Sequence, residues 1–201
     1  MLIKTGGNKM DSKKLGLKKI TTIILTIFFI GSLGYFLYTK DSMGISVSVF
    51  CLILTVVLYQ VNKRLPKLLS DGLYSVFMWY ACIASVLGSG YGFYDMPHYD
   101  DFLHVTSGLL TVTAAYTFIK FFNTEEQISK MNIIFIAMFM FMFSMGIASL
   151  WEIGEFSMDH IMHTHTQVGG LTDTVMDMID ALVGCLVSIP YALKKIRNKK
   201  N

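Results

Sequence analysis

Six apolar runs, at residues 20–38, 45–61, 73–94, 102–122, 131–151 and 171–193, constrain this chain more than any other feature. Each can carry a helix through the hydrocarbon core of a bilayer, for which about 20 residues suffice. Backbone amides in lipid must find their partners within the protein, which leaves helices and closed barrels as spanning structures. Nothing in the runs alternates with a period of two, and the chain has only 3 Pro to interrupt helices. The expected fold is therefore all-α: a polytopic membrane bundle of six transmembrane helices in the cell membrane. Composition agrees, with 53% hydrophobic and 15% charged residues, where a soluble domain carries nearer about 25% charge.

Basic residues set the expected orientation, because Lys and Arg near span ends stay on the cytoplasmic side. Lys4, Lys9, Lys13, Lys14, Lys18 and Lys19 precede span 1, and Lys63, Arg64 and Lys67 lie between spans 2 and 3. Lys120 and Lys130 flank the connection between spans 4 and 5, and Lys194, Lys195, Arg197, Lys199 and Lys200 follow span 6. With both termini inside, Lys40 is the one exception among the 17. Span 1 ends in YFLYTKDS, without a small-residue cleavage site, and reads as a retained anchor rather than a signal peptide.

The expected organisation is a cytoplasmic basic segment over 1–19, a single six-helix domain over 20–193, and a basic tail over 194–201. Connections are too short for a soluble domain. Cys51, Cys82 and Cys185 fall within apolar runs, in no metal-binding or disulfide spacing, and read as small core residues. The basic blocks serve topology and suit anionic lipid head groups. No stacking platform accompanies them, so nucleic acid is not an expected partner and membrane lipids are.

Polar chemistry gathers at the outward-facing ends of spans 3 to 6, within 91–187. All 5 His and most of the carboxylates lie there. Residues three or four apart share a helix face. Asp100 and Asp101 therefore both share a face with His104. Glu152, Glu155 and Asp159 form one stripe at the end of span 5, and Asp173, Asp177 and Asp180 form another at the start of span 6. Asp180 lies about 10 Å further along its helix than Asp173, at a depth where a charged carboxylate needs a partner. No Lys or Arg occurs at that level, so the partner is a proton, a histidine, water or a bound cation.

Converging carboxylates with one imidazole suit a divalent metal ion. The expected ligands are His104, Glu152, Glu155, Asp173 and Asp177, with Asp101 and Asp180 as candidate catalytic bases. Asp95 and Asp159 read as solvated. The segment HIMHTH, with His160, His163 and His165, is either a surface loop or a second metal-binding or proton-linked element. Gly169 and Gly170 mark the turn into span 6, with Thr172 as its expected N-cap.

The segments YDMPHYDDFLHVTSGLL, WEIGEF and GGLTDTVMDMIDALVG resemble those of the YjdF-like inner-membrane proteins, a bacterial multi-pass family without an assigned activity. More distantly, the order Asp–x–x–His, helix-end Glu, then Asp followed by Gly is similar to the VanZ-like membrane proteins, associated with glycopeptide resistance. The resemblance covers about 91–187 and marks Asp101, His104, Gly108, Trp151, Glu152, Glu155, Asp173, Asp177 and Gly184. It implies a fold and a motif, not a reaction.

Three functions remain open on the residues. One is a metal-dependent enzyme acting on phospholipid or polyprenyl-phosphate head groups at the outer leaflet. Another is a structural or interaction protein whose polar cluster joins helices. The third is a proton- or cation-coupled transporter, disfavoured because the inner halves of spans 4 to 6 are apolar apart from Thr111, Thr113, Ser144 and Ser188.

Overall fold

A computed structural model describes residues 16–162 and 170–198. It contains six helices long and apolar enough to cross a membrane. In chain order the helices are α1 (Leu17–Thr39), α2 (Ser42–Arg64), α3 (Asp71–Ala81), α4 (Tyr99–Phe122), α5 (Glu125–Lys130), α6 (Ile133–Met162) and α7 (Leu171–Asn198). All but the short α5 are spans, and α3 continues as π-helix through Cys82–Gly90 to complete the third.

Local chemistry explains where the helices begin and end. α1 stops at Lys40, whose left-handed backbone (φ 60°) returns its amide to the Phe36 carbonyl. Asp41 then caps α2, its carboxylate accepting from the amides of Met43 at 3.0 Å and Gly44 at 3.1 Å. The Phe36 ring lies where a Cβ on Gly44 would stand, so this hairpin closes only over glycine. Thr124 and Gln127 form a reciprocal capping box at the start of α5. Two boundaries differ from the expected ones. The apolar window over 73–94 runs past the end of the helix, because Gly92 at φ 76° breaks it before Phe93 and Tyr94. Thr172 lies inside α7 rather than capping it, the helix starting directly after Gly170 at φ 61°.

The spans divide into two sets of three. α1, α2 and the third span pack on one another, as do α4, α6 and α7. Leu25, Phe29, Cys51, Tyr74, Met78 and Val86 fill the first core. Val112, Ala115, Ile136, Met140 and Cys185 fill the second. All three cysteines are free and buried. Across the seam, the Tyr80 hydroxyl donates to the Leu103 carbonyl at 3.1 Å and the Tyr99 hydroxyl to the Ile83 carbonyl at 2.9 Å. The second contact supplies a donor to a carbonyl in the π-helical segment, whose widened turns shift the backbone pairing.

Outward faces carry large apolar side chains such as Ile27, Val56, Ile134 and Met142, all exposed, as helices dissolved in lipid require. Buried hydroxyls on these helices bond back to their own backbone: Ser48 to Gly44 and Thr55 to Cys51. A polar knot ties the opposite end of the first set from the π-helix. There Asn62 donates to the Leu69 carbonyl at 2.7 Å and to Asp71 at 2.9 Å, and accepts from Lys18.

Candidate metal centre

α4 and α7 approach until their backbones touch. A Cβ on Gly108 would stand 2.2 Å from the Ala181 carbonyl oxygen, and one on Gly184 would stand 2.0 Å from that of Val105. Only hydrogen fits at either place, which is how small residues let membrane helices come together. The crossing decides what lies beyond it. His104 is one turn from Gly108, and Asp180 and Asp177 are one and two turns from Gly184, on the same side.

At that level His104 Nε2 lies 3.3 Å from Oδ1 of Asp100, one turn earlier on α4, and 3.8 Å from Oδ1 of Asp177 across the interface. The three donor atoms all lie within 4.8 Å of one another. His104 is 8% exposed and Asp177 4%, while Asp100 is half-buried. Metal–ligand bonds of about 2.0–2.4 Å place the donors of one ion within the same few ångströms. Two carboxylates with an imidazole form a set suited to zinc, manganese or iron more than to calcium. The residues therefore form a plausible divalent-metal cluster. The sequence has no Lys or Arg between Lys67 and Lys120 or between Lys130 and Lys194, so α4, α6 and α7 bring no Lys or Arg to the carboxylates at this level.

The other expected ligands surround this triad at different distances. Glu152 on α6 is 4% exposed, and its charge acts on both Asp177 and Glu155. Glu155 is half-buried and accepts the Trp151 indole N–H at 3.0 Å. Asp173, half-buried one turn outward from Asp177, also acts on it electrostatically. Neither glutamate nor Asp173 joins the three-donor cluster among the described residues. Of the two candidate bases, Asp180 feels the charges of Asp101, His104 and Asp100. Asp101 pairs instead with His98 Nδ1 at 2.7 Å. His160 is exposed and stacks on Phe156, with ring centroids 6.0 Å apart, whereas His163 and His165 lie outside the described residues.

Tyr94 completes the surroundings from the connection between α3 and α4, where spacing along a helix gave no signal. Its ring packs so closely on Gly88 that a Cβ there would stand 2.6 Å from it, and it meets Tyr99 edge-on with centroids 5.5 Å apart. The residue as a whole is 38% exposed, but its phenol is desolvated against its neighbours, and this first, then the negative charge of Asp100, pushes it above the usual range.

A family model described as "Predicted membrane protein (DUF2238)" matches residues 20–198. An "Uncharacterized protein" of Thermotoga maritima is 27% identical over 204 residues, covering 100% of this chain and 94% of the relative. No solved structure matches. With nearly every described residue inside the matched region, the chain belongs to the DUF2238 family of predicted membrane proteins.

Proposed function

We propose that this protein is a metal-dependent membrane enzyme acting on phosphate-bearing lipid head groups, with both termini cytoplasmic and its centre at the extracytoplasmic end of the bundle. The observation that carries the reading is the convergence of Asp100, His104 and Asp177, from two helices, to within 4.8 Å of one another. A divalent ion bound there would supply Lewis acidity toward a phosphoryl oxygen. Glu152, Glu155 and Asp173 provide further oxygens within electrostatic reach. Asp101 is engaged by His98 at 2.7 Å, which leaves Asp180, within electrostatic reach of His104, to take a proton from an attacking water. Resemblance to VanZ-like proteins, associated with resistance to drugs that act on the envelope, supports an outward-facing substrate.

The test is elemental mass spectrometry of purified protein, with phosphate release from phosphatidic acid or polyprenyl pyrophosphate as the activity. A stoichiometric metal that disappears in Asp177→Ala, together with release that disappears in Asp177→Ala and Glu152→Ala, is the expected result. Metal-free protein whose variants keep full activity in cells would overturn the reading. One contact favours a structural alternative: the 3.8 Å approach of His104 to Asp177 joins α4 to α7 without any ion. Under that alternative the same substitutions lower stability in detergent while no metal is found.

A further inference from the structure

The seam between the two sets of helices is pinned at one end and open at the other. Tyr80 and Tyr99 bridge it to the carbonyls of Leu103 and Ile83, and the Tyr94 ring packs on Gly88 beyond them. From that pinned end a groove of about 410 Å³ runs between the third span and α4, within the about 300–1,000 Å³ range of ligand pockets. Its walls are Val76, Trp79 and Ile83 on the third span and Phe102, Thr106 and Leu110 on α4. It ends at Gly72 and Leu17, in the first turns of α3 and α1. A smaller hollow of about 160 Å³, between Leu73 and Phe77 on one side and Ala114 and Phe118 on the other, flanks the same span. Each set fills its own core and neither fills the seam. The walls are mostly apolar, so in a bilayer acyl chain rather than water is the natural content.

The charges at the open end select the head group. Lys18 donates to Asn62 there and stands 4.3 Å over the Tyr59 ring, while Lys19, Lys63, Arg64 and Lys67 are exposed. Against these five stands Asp71, whose carboxylate already accepts from Asn62 at 2.9 Å. The sequence has no other acidic residue between Asp41, which caps the opposite end of α2, and Asp95. An excess of basic residues beside a gap between membrane helices suits an anionic lipid head group. From Gly72 to Ile83 the wall runs about 16 Å at the rise of a helix, about half of a 30 Å hydrocarbon core. A single acyl chain entering at the basic end therefore reaches the phenols that pin the seam.

We propose that the groove between the third span and α4 is a site for an anionic glycerophospholipid, with one acyl chain between the walls and its phosphate among the basic residues at the Gly72 end. The lipid fills the seam where the two sets of helices do not touch. The site does not depend on the metal centre, which lies at the opposite end of α4. Its assignment to the cytoplasmic leaflet rests on the orientation proposed above.

The test uses the full chain in phosphatidylcholine nanodiscs doped with phosphatidylglycerol or, in a matched sample, with phosphatidylcholine, each carrying a diazirine midway along one acyl chain. After illumination, labelled residues are mapped by mass spectrometry. Labelling concentrated on Val76, Trp79, Thr106 and Leu110, and about tenfold stronger with phosphatidylglycerol at low salt, is the expected result; that factor is the scale of two basic contacts to an anionic lipid. Adding 0.5 M sodium chloride to the parent protein should bring the two probes close together, as should replacing Lys19, Lys63, Arg64 and Lys67 by Gln. Val76 is 44% exposed, so Val76→Phe plugs the groove from one wall and Thr106→Phe from the other. Both should lose the groove labelling and keep the melting temperature of the parent. Equal labelling by the two probes at low salt, or labelling spread evenly round the bundle, would mean ordinary contact with bulk lipid and sink the proposal. A preference that withstood salt, or groove labelling that persisted in a plugged and folded variant, would sink it too. Nanodiscs carry the probe in both leaflets, so the outcome is independent of the orientation and of the metal centre.

Discussion

Asp100 and Asp101 are neighbours with different fates, and the difference is the finest distinction the site makes. Successive residues on a helix point about 100° apart, so from one backbone only one of them can face His104 squarely. The sequence shows both spacings, i to i+3 and i to i+4, and spacing cannot choose between them. The choice is made by His98. Its left-handed backbone (φ 63°) starts α4 and places its ring beside Asp101, and Asp100 is left at 3.3 Å from His104 Nε2. Asp100→Asn should therefore weaken manganese or zinc binding at least as much as the loss of a supporting partner, about 10- to 100-fold. Asp101→Asn should leave it nearly unchanged. Metal titration of the two purified variants checks this, and equal losses would mean that both carboxylates serve the centre.

At the scale of the helices, the polar stripes were legible as stripes, since the 3.6-residue period alone places Glu152 with Glu155 and Asp173 with Asp177. What spacing could not show is which stripes meet. That depends on Gly108 against Ala181 and Gly184 against Val105, contacts between residues more than 70 positions apart. The family resemblance marked both glycines without saying that they lie at one crossing. Gly108→Ala and Gly184→Ala each force two backbones apart, at a cost of about 1–3 kcal/mol in the manner of an overpacked core. Because the same displacement separates His104 from Asp177, both variants should also lose metal affinity, although neither residue offers a ligand atom. Gly146→Ala is the control, since a Cβ there meets nothing within 4 Å. Thermal melts in detergent beside metal titrations would show the two losses together at the crossing and neither at Gly146.

For the whole molecule, the number of spans was legible because apolar length is a property of each run by itself. The division into two sets of three was not, since it depends on which faces meet across the bundle. With separate cores, damage in one should not travel to the other. Leu25→Ala, 1% exposed in the first core, should cost about 2–5 kcal/mol and leave the metal affinity of the folded protein unchanged. Orientation is a further whole-molecule property, set by the cost of moving Lys and Arg across the membrane rather than by packing. Asp95 and Lys67 are both exposed and lie in the connections that follow and precede the third span, so they report opposite sides. The native cysteines are buried and should contribute little background to a water-soluble maleimide. Asp95→Cys should react in intact cells, and Lys67→Cys only after the membrane is opened. The reverse pattern would put the acidic centre on the cytoplasmic side, where an extracytoplasmic lipid head group could not reach it. The metal chemistry would survive that outcome, but its substrate would have to come from the inner leaflet.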